Sequence, residues 1–146
     1  MAAVATDAPT SATHTGACLC GAVRYQVTGP MRAVVFCHCS QCRRSTGHFM
    51  AATAARQRDF RLLAAQELRW YESSDAARRA FCGRCGSTLF WQASGRDDIS
   101  IAAGTLDGAT GLNGACHIHV ADKGDYYSIE DGVPQRADGR FAVPIP

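Results

Sequence analysis

Short stretches in which apolar and polar residues alternate recur along most of the chain, and a period of two is the signature of half-buried β-strands. Between Ala22 and Val27, the residues Val23, Tyr25 and Val27 fall on one face and Arg24 and Gln26 on the other. Gly29-Pro30 marks a turn, and the apolar run from Ala33 to Cys37 predicts a short buried strand. Cys39 to Gly47 is polar and closes on Ser45-Thr46-Gly47, which predicts a loop or a single helical turn. The stretch from His48 to Gln66 is rich in Ala, Arg and Leu, residues that favour helix by propensity. Yet Phe60 and Leu62 alternate around Arg61, and Glu67 to Tyr71 has a strand pattern too, so strands are expected at 49–54, 59–63 and 67–72. After a turn at Ser73-Ser74-Asp75, Arg78 to Phe81 leads into a cysteine pair, and Thr88 to Gln92 and Asp98 to Ala102 read as strands. Ala115 to Val120 alternates, with Ile118 and Val120 on one face and His117 and His119 on the other. Asp131-Gly132 and Val133-Pro134 are late turns. Many short strands between turn signals predict a mostly-β fold. Residues 1–15, made largely of Ala, Thr and Ser, have no period and are expected to form a mobile tail ahead of one domain at 16–140.

Composition narrows the class without changing the pattern. The chain has 146 residues, the size of one domain, with 47 % hydrophobic and 19 % charged residues, a folding composition. The longest apolar runs are a few residues, too short for a transmembrane helix. Residues 1–16 carry no basic segment followed by an apolar one, so a cytoplasmic location is expected. The formal charge of +2 is too small to argue for nucleic acid. It is unevenly spread: residues 18–84 carry a net +7 and residues 85–146 a net −4. Such halves either attract each other within one fold or leave a basic site for an anionic ligand.

The eight cysteines are the strongest chemical signal: Cys18, Cys20, Cys37, Cys39, Cys42, Cys82, Cys85 and Cys116. A secreted disulfide scaffold fits poorly, because a chain of this length does not need staples and close neighbours rarely bridge each other. Close neighbours chelate one ion well, and zinc fits these spacings better than an iron–sulfur cluster. Cys18-Leu19-Cys20 on an extended segment offers two thiolates to one side, and Cys82-Gly83-Arg84-Cys85 makes a tight turn in which backbone N–H groups point at sulfur. Four thiolates around zinc form a closed, structural tetrahedron. Cys37-His38-Cys39-Ser40-Gln41-Cys42 packs three thiols into six residues. One ion can take all three and keep a fourth position open, the pattern of a catalytic zinc suited to a soft ligand such as a substrate thiol. The alternative is a second structural site, closed by His38, Cys116 or another residue. Spacing alone also allows Cys18 and Cys20 to pair with the Cys37 cluster instead.

Other candidates carry less. Arg43 and Arg44 follow the triple cluster and could offset its charge or hold an anionic substrate. His48 either lines a pocket or lies plainly on the surface. His117 and His119 could reach a metal, although two histidines in a strand are more often hydrogen-bonded structure. Trp70 and Trp91 read as core. Cys116 is either buried and inert or a reactive thiol.

Four blocks together resemble a known family. They are Gly16-Ala17-Cys18-Leu19-Cys20-Gly21-Ala22-Val23-Arg24-Tyr25, Cys37-His38-Cys39-Ser40-Gln41-Cys42-Arg43-Arg44-Ser45-Thr46-Gly47, Phe81-Cys82-Gly83-Arg84-Cys85-Gly86-Ser87-Thr88-Leu89, and His117-Ile118 ahead of Asp131-Gly132-Val133-Pro134. In this order they resemble the glutathione-dependent formaldehyde-activating enzyme family, also called the centromere protein V/Gfa domain, over about residues 15–135. The resemblance implies a single mostly-β domain of the Mss4-like (β-tent) type. It implies a structural zinc on Cys18, Cys20, Cys82 and Cys85, and a catalytic zinc on Cys37, Cys39 and Cys42. The implied activity is that of a carbon–sulfur lyase joining glutathione and formaldehyde, and the implied partner is a small-molecule thiol such as glutathione; the short apolar runs argue against a membrane and the small net charge against nucleic acid. Arg43, Arg44 and His48 are the candidate substrate contacts. Two positions depart from the family pattern: His119 stands where a larger apolar residue is expected, and Tyr126-Tyr127 near where a Trp is common. The alternative function is a non-enzymatic zinc module that binds a protein or nucleic acid, which the basic first half favours weakly.

Overall fold

The alternating segments become ten strands in two sheets in the computed structural model, which describes residues 12–146. The smaller sheet holds β1 (Thr13–Ala17), β2 (Arg24–Thr28) and β5 (Phe60–Ala64) in the order β1-β2-β5, all antiparallel. The larger sheet comprises β3 (Val34–Cys37), β4 (Met50–Arg56), β6 (Leu68–Ser74), β7 (Ala77–Cys82), β8 (Thr88–Ala93), β9 (Asp98–Ala102) and β10 (Gly114–Ile118). Its order is β10-β3-β4-β9-β8-β7-β6, and only the β10–β3 pair is parallel. The mostly-β expectation is met. No helix among the described residues is long and apolar enough to cross a membrane.

Burial follows the alternation. Tyr25 and Val27 on β2 are fully buried, while Arg24 and Thr28 face out. They meet Leu89, Phe90, Ile99 and Ile101 of the larger sheet in the main core. An aromatic group fixes the geometry there. Tyr25 stacks on Phe60 at 5.6 Å, both rings meet Phe90 edge-on at 5.1 Å, and Trp70 lies 6.4 Å from Phe90. The Tyr25 hydroxyl is satisfied by the Thr105 hydroxyl at 2.7 Å, which removes the cost of burying it. Gly16 sits against this ring, and a Cβ there would collide with it.

The alanine-rich stretch forms β4 rather than a helix. It lies between β3 and β9, where Ala52, Thr53, Ala54 and Ala55 are buried and small side chains let the neighbouring layers close. Tertiary packing outweighs propensity here.

Four expectations are corrected. Residues 40–46 form a helix, α1 (Ser40–Thr46), longer than the loop or single turn predicted from composition. Its N-cap is Cys39, whose sulfur accepts the Cys42 N–H at 3.3 Å, and it ends at Gly47, whose φ of 85° suits a residue without Cβ. β6 runs on to Ser74, so the turn begins later than Ser73. β10 ends at Ile118: His119 takes a left-handed conformation (φ 54°), so Val120 does not share the face of Ile118, nor His119 that of His117. Thr13 to Thr15, placed in the tail by composition, open β1, and residues 1–11 of that tail lie outside the described residues.

Because three aromatic rings face Phe90, Phe90→Ala should cost about 3–5 kcal/mol in denaturant unfolding. Tyr71→Ala, at a strand position 65 % exposed, should change stability by no more than about 0.5 kcal/mol. A Phe90 variant as mild as the Tyr71 variant would mean that the aromatic group does not hold the sheets together.

Candidate functional site

Two tight turns, one from each sheet, bring four sulfurs together. Cys18 and Cys20 follow β1; Cys82 ends β7, and Cys85 lies in the turn before β8. In each turn a left-handed glycine reverses the chain. Gly21 (φ 78°) donates its N–H to the Cys18 carbonyl at 3.1 Å, and Gly86 (φ 77°) to the Cys82 carbonyl at 2.8 Å. The Leu19 N–H reaches Ser87 Oγ at 2.9 Å and so joins the turns directly. The four Sγ atoms lie within 4.8 Å of one another, with Cys18–Cys20 at 3.6 Å and Cys20–Cys82 at 3.8 Å. Sulfurs bound at about 2.3 Å around a tetrahedral ion are separated by about 3.8 Å, so this donor set fits a metal. Hydrogen bonds from Ser87 draw the Cys85 thiol down to about 5, toward the thiolate a metal needs. All eight cysteines are free thiols.

The second cluster forms where β3 runs into α1. Cys37 ends the strand, Cys39 caps the helix, and Cys42 returns within its first turn, so three sulfurs lie within 4.8 Å of one another. They crowd one another electrostatically. Hydrogen bonds from Cys37 and Cys42 hold the Cys39 thiol far below its usual range, and the contact with Cys39 pushes Cys37 up. A cation among three sulfurs would relieve this competition for protons. Arg79, on β7, adds two N–H groups at 3.6 Å from Cys42 Sγ, and its Nη2 donates to Gln41 Oε1 at 3.3 Å.

The two suggested closing ligands are engaged elsewhere. His38 turns away from the sulfurs, is buried, and has both ring nitrogens in hydrogen bonds, to Tyr127 and to His117. Cys116 packs with Val35 and Ile118, outside the group of three. The cluster instead faces a cavity of about 560 Å³, within the range of small-molecule sites, which all three cysteines line.

Three guanidinium groups line this cavity: Arg32, Arg79 and Arg96. Arg96 is paired with Asp98 through bonds of 2.8 and 2.6 Å. Arg32 is buried and donates one Nη2 bond, at 3.0 Å, to the Ala52 carbonyl, while the buried Nε atoms of Arg32 and Arg79, like that of Arg43 outside the cavity, have no partner. Neither Arg32 nor Arg79 has a carboxylate partner among the described residues, so a carboxylate entering the cavity would meet two guanidinium groups free to pair with it.

The cations expected from sequence lie elsewhere. Arg43 and Arg44 occupy the last turn of α1 and do not line the cavity. His48 Nδ1 is 3.0 Å from the Tyr126 hydroxyl and is likewise not part of the lining. His119 and Trp91 do line it, although Trp91 reads as core in the sequence. Arg32 and Arg79 give no sequence signal of their own, because β-sheet pairing and chain reversal bring them to the cysteines.

Comparison with known proteins agrees with this arrangement. The sequence profile of a family described as "Glutathione-dependent formaldehyde-activating enzyme" matches residues 13–122. A Schizosaccharomyces pombe protein described as an uncharacterized lyase is 28 % identical over 118 residues, covering 80 % of this chain and 85 % of that protein. A crystal structure of a Rhodobacter sphaeroides protein is 29 % identical, with a TM-score of 0.56, covering 66 % of this chain and 91 % of that one. The profile spans both cysteine clusters and most of the two sheets, so the chain belongs to the glutathione-dependent formaldehyde-activating enzyme family.

Proposed function

We propose that the protein is a zinc-dependent carbon–sulfur lyase that makes and breaks the adduct of a small carboxylated thiol with an aldehyde, glutathione and formaldehyde being the pair in the family's name. The observation that carries this reading is the three-sulfur cluster facing a cavity whose wall holds two guanidinium groups, Arg32 and Arg79, that pair with no carboxylate among the described residues. In the synthetic direction, thiol sulfur bonds to the carbonyl carbon, the C=O π bond breaks, and the thiol proton ends on the oxygen. The reverse direction releases both partners.

Cys37, Cys39 and Cys42 are the proposed ligands of a catalytic zinc, and Cys18, Cys20, Cys82 and Cys85 those of a structural one. Zinc held by Cys37, Cys39 and Cys42 would supply the Lewis acidity that lets a substrate thiol ionise near neutral pH. Arg79 withdraws charge from Cys42 through its two N–H contacts and keeps that sulfur turned to the cavity. The guanidinium groups of Arg79 and Arg32 receive a substrate carboxylate, which orients the thiol toward the cluster and raises its effective concentration there.

The reading is tested by NMR exchange between formaldehyde, glutathione and their adduct. The zinc-loaded protein should accelerate exchange, and Cys42→Ser should abolish the acceleration. No acceleration with any carboxylated thiol would contradict the proposal.

Substitution separates the arginines. Arg79→Ala should raise KM for a carboxylated thiol about ten-fold or more and raise it little for an uncharged thiol, given the usual strength of a charged hydrogen bond. Arg43→Ala and Arg44→Ala should leave this discrimination unchanged. Equal effects of Arg79→Ala on both thiols would remove the arginine from carboxylate binding.

Metal removal separates the clusters. A competing chelator should take one equivalent of zinc while the fold persists, with activity lost at that stage, and the second only as the chain unfolds. Cys82→Ser should sharply lower the Tm, whereas Cys42→Ser should not. Loss of both ions together with the fold would make the three-cysteine cluster structural.

A further inference from the structure

His38 stands between two clustered cysteines but serves the opposite side of the chain. Extended backbone turns Cys37 and Cys39 toward the cavity and His38 away from it, into a pocket walled by Phe49, His117 and Tyr127 with ring centroids 5.0, 5.1 and 5.9 Å away. Buried imidazoles are costly unless their nitrogens are paired. Here a continuous chain pairs them. The Tyr127 hydroxyl meets His38 Nδ1, His38 Nε2 is 2.8 Å from His117 Nδ1, and His117 Nε2 is 2.8 Å from Asp131 Oδ2. Asp131 is 47 % exposed on its side chain, so the chain starts at a solvated carboxylate and runs inward. Its bond to His117 holds the Asp131 carboxyl below the usual carboxylate range, and an ionised carboxylate only accepts. With both imidazoles neutral, every donor then meets an acceptor: Tyr127 O–H to His38, His38 Nε2–H to His117, His117 Nε2–H to Asp131.

The same residues clamp the C-terminal segment. The His117 N–H donates to the Pro134 carbonyl at 2.8 Å, and the Arg136 N–H donates to the His117 carbonyl at 2.9 Å. The His119 N–H donates to the Asp138 carbonyl at 2.8 Å. Beyond these bonds the segment reaches Gly139 and Phe141, which line the cavity, and Phe141 packs with Val35, Cys116 and Ile118. The His38 N–H, in turn, donates to the Ile118 carbonyl at 3.0 Å. The fourth sequence block, His117-Ile118 with Asp131-Gly132-Val133-Pro134, thus flanks the second: Ile118 pairs with Cys37 and lines the cavity beside it, while His117 and Asp131 stay out of the lining.

We propose that Asp131, His117 and Tyr127 are positioning residues: their hydrogen-bond chain fixes His38 and thereby holds the Cys37–Cys42 loop and the C-terminal cavity wall in one arrangement. The fixed loop presents three sulfurs already converged, so a cation need not pay to order them. Loss of the chain loosens the loop from behind while leaving the four-cysteine cluster, tens of residues away in sequence and on other turns, untouched. This inference rests on the proposed function only for its metal readout.

The test is hydrogen exchange by mass spectrometry on the full chain as purified, with zinc release as a second readout. Asp131→Ala and Tyr127→Phe should each speed exchange of the peptide covering 38–46 by about ten-fold, the scale of one buried hydrogen bond lost. The β7–β8 turn should exchange at its original rate. Asp131→Asn, which keeps an acceptor oxygen for His117, should restore protection. With a competing chelator, the alanine variant should release one zinc equivalent about ten-fold faster and the other at the original rate. Unchanged exchange at 38–46, or exchange raised equally throughout the chain, would overturn the positioning role. A parent protein holding only one zinc would instead contradict the proposed function, and the exchange result would still decide this inference.

Discussion

The meeting of two cysteine turns, Cys18 and Cys20 from the smaller sheet with Cys82 and Cys85 from the larger, constrains everything around it. Strand order alone would let the β1-β2-β5 sheet slide over its neighbour. Four sulfurs at tetrahedral spacing, backed by the Leu19–Ser87 bond, fix one corner of that contact, and the packing of Tyr25, Phe60 and Phe90 fixes its interior. The consequence reaches the other cluster through β7. Cys82 ends that strand, and Arg79 lies three residues earlier on it. Anchoring the end of β7 therefore also sets where the Arg79 guanidinium meets Cys42. A structural ion at the first cluster would act on the chemistry of the second without touching it.

The loop from Cys37 to Cys42 has two faces with different environments. Its sulfur face meets a cavity with guanidinium donors and accounts for the proposed thiol chemistry. Its His38 face is buried, aromatic and hydrogen-bonded, which suits fixing rather than reacting. Extended backbone divides the two because neighbouring side chains point to opposite sides. A Cys-His-Cys run can therefore look like three ligands in sequence while supplying two, with the histidine serving as an anchor.

Much of the fold was legible because strand alternation is local. Val23, Tyr25 and Val27 announced β2, and even the alanine-rich β4 could be read through its flanking strands. The cysteine spacing announced two clusters, and the family resemblance supplied the pairing of Cys18 and Cys20 with Cys82 and Cys85 that spacing left open; the geometry agrees. What stayed hidden depends on contacts between distant residues. α1 begins on a cysteine N-cap, a residue whose sulfur is a weaker cap signal than Ser or Asp. β10 stops where His119 turns left-handed, which no alternation rule foresees. Arg79 gave no signal of its own in the stretch leading into the second cysteine pair, and only the packing of β7 against α1 brings it to sulfur. Arg43 and Arg44 were nearer in sequence, but the helical turn carries them away from the cavity. Tyr127 stood out in sequence as a departure from the family pattern, and the hydrogen bond to His38 gives that departure a physical role.

Zinc K-edge X-ray absorption on the purified protein, before and after adding glutathione, reads the two donor sets at once. One closed four-sulfur site and one three-sulfur site with an open position predict an average of about 3.5 sulfurs per zinc at about 2.3 Å, rising to about 4 when a substrate thiol binds. An average of four sulfurs from the outset, unchanged by glutathione, would contradict the account, because it would leave no position at which the thiol reacts.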